Sequence, residues 1–195
     1  MLKQTAKMLY LKEVEELPEP RLKRRNQGLD MSPIWQRLAS PVLGVKEKHC
    51  LFILANRLVR NKEDIFMRWG QGDLTCDNNP DPEGRCAGQV QTIRHLFQDC
   101  ARVGKAWDWM YGFLASLLPP GTLTEADCLT LLYPTLDGRQ SEDTVIWLLG
   151  SYHVAASEAI EKGEVMGEQE LRGHLRQKYQ AYNMRRMRPL NLENL

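Results

Sequence analysis

Four of the chain's nine cysteines and histidines, Cys76, Cys86, His95 and Cys100, fall within one 25-residue stretch. Three thiolates and one imidazole are a common donor set for a structural zinc ion, which takes sulfur and nitrogen ligands at the corners of a tetrahedron. The intervening gaps are nine, eight and four residues. The first is wider than the two to four residues usual between paired cysteines, so spacing alone fits equally well two loop cysteines, a core cysteine and a surface histidine. The loop that carries the first pair, LTCDNNPDPEGRCAGQ, is dense in Asn, Pro, Asp and Gly and has no hydrophobic period. Burial cannot order such a segment, whereas a bound metal would. His95 and Cys100 stand five apart on an expected helix, one more than the spacing that aligns side chains, and need a turn at the helix end to converge. Cys50 and Cys128 lie on apolar helix faces and read as core thiols. His49, His153 and His174 are isolated on helices and read as surface or core residues.

A second group is defined by charge. Arg172, Arg176, Lys178, Arg185, Arg186 and Arg188 fall in a run from Leu171 to Leu192 that has no acidic residue, with Tyr179 and Tyr182 interleaved. Basic side chains with aromatic rings between them suit phosphate contacts and base stacking on RNA or DNA. The same run carries Leu171, Leu175, Tyr179 and Tyr182 at the spacing of a buried stripe, and basic residues collect at helix C-termini because of the dipole. Both readings stand on the sequence. The net charge of the whole chain is only +1, so any nucleic-acid affinity must come from arrangement and not from the sum.

The elements that must position these residues are helical. Ser32-Pro33 starts a helix with Ile34, Trp35 and Leu38 on one face. Val45 to Arg60 carries a wide apolar stripe, and Glu63 to Trp69 reads as a short helix closed by Gly70 and Gly72. Val90 to Leu118 reads as one long helix stopped by Pro119-Pro120-Gly121. Thr124 with Asp127 resembles a capping box for a helix over 125–132. Ser141 begins a helix to about Lys162, and a last one runs from about Glu168 to Met187. No run alternates with period two, so the expected fold class is all-α, an irregular helical domain with an inserted zinc-binding loop. The expected organisation is an N-terminal helix and basic linker over 1–31, a helical segment over 32–72, the metal module and its following helix over 73–118, and C-terminal helices with a basic tail over 119–195. Trp35, Trp69, Trp107, Trp109 and Trp147 lie on apolar faces and are expected in the core.

The run from Cys86 through His95-Leu96-Phe97-Gln98-Asp99-Cys100, with Trp107 seven residues on, resembles the C-terminal zinc-binding module of LINE-type (non-LTR) retrotransposon reverse transcriptases. That module reads Cys, a short gap, Cys, seven or eight residues, then His-Leu-Leu/Phe-x-x-Cys and a downstream Trp. Upstream, Ile34-Trp35, Pro41-Val42-Leu43, Ala55-Asn56-Arg57-Leu58 and Arg68-Trp69-Gly70 look like the helical stretch that joins the polymerase thumb to the module. Ile146-Trp147-Leu148-Leu149 looks like its helical end. The resemblance covers roughly residues 32 to 182 and is strongest over 86 to 107. One departure bears on Cys76: the family keeps its first two cysteines close, and here DNNPDPEGR separates them.

The resemblance implies zinc as cofactor, RNA or DNA as a weak and largely sequence-independent partner, and a role as an accessory domain without the catalytic parts. A protein-interaction module recruited from such an element is the alternative. No Asp-Asp pair occurs in the chain, so the aromatic-x-Asp-Asp palm signature of a reverse transcriptase is missing, and no nuclease carboxylate set is recognisable. Gly70-Gln71-Gly72 lacks the strand and helix that a phosphate loop requires, and no serine sits in a nucleophile elbow. The sequence therefore offers no catalytic residue. It has no signal-peptide pattern and no apolar run long enough to span a membrane. Five cysteines in that context point to a reducing intracellular compartment, cytoplasm or nucleus.

Overall fold

Helix boundaries in this chain follow local chemistry. Asn61 caps a helix by accepting the Asp64 N–H at 2.8 Å, Glu63 and Asp64 complement the dipole of its first turn, and Gly70 ends it in the left-handed conformation. Thr124 and Asp127 form the expected capping box, with the Asp127 N–H bonded to the Thr124 hydroxyl at 3.2 Å and the Thr124 N–H to the Asp127 carboxylate at 2.9 Å. The computed structural model describes residues 30–77 and 86–184. These contain α1 (Ser32–Leu38), α2 (Val45–Ala55), α3 (Lys62–Trp69), α4 (Gly104–Leu117), α5 (Glu125–Thr130), α6 (Arg139–Lys162) and α7 (Glu168–Met184). Among the described residues there is no sheet, only an isolated antiparallel bridge between Thr75 and Val90. The fold is all-α. The expected N-terminal helix and linker, and the helix beyond Met184, lie outside the described residues.

Two expected helices are shorter than their hydrophobic pattern. α2 stops at Ala55 and does not reach Arg60. Asn56 turns its side-chain amide back onto the Phe52 carbonyl at 2.8 Å, and Arg57 takes a φ of 52°, which no continuing helix allows. The single helix expected over 90–118 is broken. Residues His95–Asp99 form one widened turn, and α4 begins only at Gly104.

α6 is the centre of the fold and packs against α1, α2, α7 and the turn at 95–99. Leu148, Leu149, Tyr152 and Ala156 along it are fully buried, as suits a helix covered on several sides. α4 closes the core from the other side with Trp107, Met110 and Leu114 and packs on α7. Each such large apolar side chain contributes roughly 1.5–3 kcal/mol on leaving water. α1 is tied in by Arg37, buried to 7% exposure. It donates to the carbonyls of Leu131 and Tyr133, each at 2.7 Å, pairs with Glu142 at 3.4 Å, and lies 3.6 Å from the Tyr133 ring centroid. This one side chain fixes the loop between α5 and α6.

The tryptophans divide. Trp107 and Trp147 are buried, as expected. Trp35 and Trp69 are 46% and 74% exposed and Trp109 is half-buried, so these three are not core residues. α3 is eight residues long, with Ile65 and Phe66 half-buried and Met67 exposed beside Trp69. Its apolar side chains outnumber what its neighbours cover. No helix among the described residues is long and apolar enough to cross a membrane.

Candidate metal centre

Each of the four metal-ligand candidates is brought in by a different piece of backbone. Cys76 sits on a short extended segment that opens with Asp73 accepting the Thr75 N–H at 2.8 Å. Lys62 on α3 reaches over this segment to Asp73 at 3.5 Å and also to Asp77. The segment pairs with residues 89–91: the Cys76 N–H meets the Gln89 carbonyl at 3.0 Å and the Gln91 N–H meets the Leu74 carbonyl at 2.8 Å. Cys86 opens the tight turn that leads into that partner, closed by the Gln89 N–H on the Cys86 carbonyl at 3.2 Å. Gly88 has a φ of 68° at the third turn position. A Cβ there would meet nothing, so the backbone conformation alone calls for glycine.

His95 and Cys100 converge through the widened turn. In an α-helix five residues rotate the chain by about 140° from alignment, which would point the two side chains to different sides. Here the Cys100 N–H bonds to the His95 carbonyl at 2.7 Å, an i to i+5 bond that makes one π-type turn of the kind found at functional positions. Thr92 starts this turn by accepting the His95 N–H at 2.9 Å. Cys100 itself is extended, with φ −64° and ψ 137°. The expected convergence is met by interrupting the helix instead of bending its end. Behind the turn, the buried Tyr152 hydroxyl donates to the Phe97 carbonyl, and Gln98 donates to the Glu125 carbonyl at 2.8 Å. The metal segment is thereby anchored to α6 and α5.

The result is a compact donor set. The sulfurs of Cys76, Cys86 and Cys100 and a ring nitrogen of His95 all lie within 4.8 Å of one another. Cys86 Sγ is 3.7 Å and Cys76 Sγ 3.9 Å from Cys100 Sγ. Sulfurs around a tetrahedral zinc at about 2.3 Å would be separated by about 3.8 Å. A disulfide would bring them to about 2.05 Å, and none of the five cysteines is in a disulfide. Cys86, His95 and Cys100 are buried and Cys76 is half-buried. The Ala101 N–H points at Cys86 Sγ at 3.3 Å, the kind of outer contact that steadies a thiolate ligand. Burial, followed by the neighbouring thiols of Cys76 and Cys86, pushes the Cys100 thiol up to about 12, against the pull of the Arg102 N–H. Three thiols this close resist ionising together. A divalent cation between them reverses that balance and takes them as thiolates. The group can hold a metal ion.

The other candidates stay apart from this cluster. Cys128 is fully buried, and burial pushes its thiol up to about 12. Cys50 is half-buried beside Ser157 at 3.6 Å, so it is not a full core thiol. His153 is fully buried against Phe97, and burial lowers its pKa to about 4. His49 is exposed and His174 half-buried.

Of the six basic residues singled out in the acid-free run, three are described, all on α7. Arg172 pairs with Glu168 at 3.1 Å and lies 5.5 Å from the Trp109 ring centroid. Lys178 is bonded to Glu47 on α2. Burial works against that carboxylate, yet the Lys178 ammonium and a backbone N–H together hold it below its usual range. Arg176 is exposed. Arg185, Arg186 and Arg188 lie outside the described residues. Leu171, Leu175 and Tyr182 are buried in the core, and Tyr179 is half-buried.

Sequence reasoning missed the supports of the cluster. Thr92 carries a readable signal, since a threonine three residues before His95 is a helix-start pattern. Tyr152 and Lys62 carry none, because their roles depend on which elements meet in space. The fold and site define a helical protein with a Cys3His group able to hold a metal ion. Comparison with protein-family models, with curated proteins and with solved structures gives no match for the chain.

Proposed function

We propose that the metal is zinc and that the chain is a zinc-organised accessory module of the kind found at the C-terminal end of LINE-type reverse transcriptases. The observation that carries this is the Cys3His group, whose sulfur separations of 3.7 and 3.9 Å suit tetrahedral coordination by a soft-ligand site. Cys76, Cys86, His95 and Cys100 would hold the ion, and its chemistry is structural, since all four positions are filled by protein. Protein purified without chelator under reducing conditions is expected to carry about one zinc per chain. Cys100→Ser and His95→Ala should each lose it, while Cys50→Ser should keep it. A zinc-free wild type would sink the reading.

The partner proposed is RNA or DNA, gripped without sequence preference, and it rests on the resemblance and on the acid-free run from Leu171 to Leu192. Log affinity should then fall with log salt at roughly 0.7 per phosphate contact for single strands, a slope of roughly −2 to −3 for three or four contacts. Arg185→Ala, Arg186→Ala and Arg188→Ala together should flatten that slope by about two units. No binding at low salt would end this role.

A second reading, a recruited protein-binding module, is favoured by a groove of about 620 Å³ beside the metal segment. Ile53, Leu96, Phe97 and Ile160 line it together with Lys46, Arg60, Glu158 and Glu161, a mostly apolar surface of mixed charge that suits a protein better than a row of phosphates. Two cations that flank the metal segment also favour it, because carboxylates already hold them. Lys62 is taken by Asp73 and Asp77, and Arg94 by Asp99 and Glu125.

A further inference from the structure

The four donors differ in how a reagent in solution reaches them. Cys86, His95 and Cys100 are buried at 4%, 3% and 2% exposure, whereas Cys76 is half-buried at the outer corner of the group. Cys100 Sγ is the sulfur on which the others converge, 3.9 Å from Cys76 Sγ and 3.7 Å from Cys86 Sγ. An oxidant that reaches the outer thiolate therefore finds an inner one already in van der Waals contact with it.

Resting on the zinc reading above, we infer that the centre is a peroxide-responsive switch in which Cys76 is the oxidised thiolate and Cys100 the resolving one. The Cys76 thiolate attacks a hydroperoxide, the O–O bond breaks, and Cys76 becomes a sulfenic acid with loss of hydroxide or alkoxide. The Cys100 thiolate then attacks the Cys76 sulfur, the S–O bond breaks, and hydroxide leaves as the Cys76–Cys100 disulfide forms. Two electrons pass from the two thiolates to the peroxide oxygens. With these sulfurs joined, only Cys86 and His95 remain to hold an ion, too few for a structural site.

The effect on the fold follows from what the centre organises. The π-type turn brings His95 and Cys100 to one point, and Leu96 and Phe97 on the same turn form part of the apolar groove wall. Once His95 no longer shares an ion with Cys100, the widened turn has lost the constraint that requires it. Oxidation therefore loosens the groove and the Tyr152–Phe97 bond as well as the loop.

The test uses the zinc-loaded full chain, freed of reductant and treated with hydrogen peroxide at one to a few equivalents. Released zinc is read with a chromogenic chelator, thiols by alkylation after denaturation, and crosslinks by peptide mass mapping. The expected result is one zinc released for every two thiols lost, a Cys76–Cys100 crosslink, and recovery with dithiothreitol and zinc. Cys76→His keeps a nitrogen donor but removes the outer thiol, and should slow peroxide-driven release roughly tenfold or more. Should that variant fail to bind zinc, the crosslink map of the wild type decides alone. Zinc retained while two thiols are lost overturns the inference, as does release with a Cys86–Cys100 crosslink or with sulfinic acid only. A wild type that carries no zinc even when reduced points instead to failure of the zinc reading itself.

Discussion

The described residues of the metal segment, 74–77 and 86–100, and the helices α4, α6 and α7 solve the same problem by different means. The helices are held by apolar area: Trp107, Met110, Leu114, Leu148, Leu149, Leu171 and Leu175 are all within 2% of complete burial. Among its described residues, the metal segment offers little of this kind before Leu96. Its order comes from a few backbone bonds, from Lys62 on Asp73 and Asp77, and from four donor side chains aimed at one point. A core built from area degrades gradually when one side chain is trimmed. A centre built from four ligands fails when one is removed, because the remaining thiols are left buried and crowded. The two regions meet where Tyr152 donates to the Phe97 carbonyl, so one can be perturbed and the other observed.

The largest expected effect is metal removal. Apparent zinc binding in small modules is worth on the order of 10 kcal/mol, which a polar segment has no means to replace. Hydrogen exchange after a strong chelator should show amides of residues 74–77 and 86–100 losing protection first, while those of Leu148 to Ala156 on α6 persist. The converse variant, Trp107→Ala, should cost roughly 3–5 kcal/mol of global stability with zinc still bound under native conditions. Uniform loss of protection on chelation would show that the two regions are one cooperative unit.

A smaller effect is expected from acid, acting on the burial side. His153 is fully buried, and burial lowers its pKa to about 4 from 6.5. Above pH 6.5 the ring is neutral folded or unfolded and contributes no pH dependence. Between those values the unfolded chain takes up the proton and the folded chain does not, so stability falls as pH drops. The full loss is about 3 kcal/mol. If the centre holds zinc as proposed, acid would also displace the metal, so the measurement is the difference between wild type and His153→Leu in urea titrations across that window. The variant should lose the part of the slope due to His153. Parallel curves would mean that the ring is already charged in the native state or that acid acts only at the metal centre.

The two regions were also unequally legible in the sequence. Features that depend on neighbours in the chain were readable: the Thr124–Asp127 capping box, the left-handed end at Gly70, and the four donors themselves. The break in the helix expected over 90–118 was not readable, because its hydrophobic pattern continues through it. It is interrupted where His95 and Cys100 converge with two cysteines from elsewhere, an arrangement that no local propensity expresses. The tryptophans failed for a related reason. A helix pattern identifies an apolar face, but only packing decides whether anything covers it, and Trp35 and Trp69 are left 46% and 74% exposed.

The smallest effect, and the one that tests where α7 belongs, is Tyr179→Ala. Tyr179 and Tyr182 both meet the Trp147 ring edge-on, at centroid distances of 6.3 and 6.2 Å. Tyr182 is 6% exposed and Tyr179 half-buried. If this face of α7 serves burial, removing the Tyr179 ring costs about 1–2 kcal/mol, below the roughly 3–5 of a buried aromatic such as Tyr182. At about 2–4 °C per kcal/mol for a chain of this size, Tm should drop by about 2–8 °C. Affinity for single-stranded RNA should then change by less than about twofold, since losing a stacked base would cost roughly 1–3 kcal/mol of binding. Zinc content should not change, because Trp147 and its partners lie on the side of the molecule held by area. A fall in RNA affinity with Tm unmoved would reverse the assignment: the Tyr179 ring would then stack on bases instead of packing on Trp147, and α7 would present a binding face.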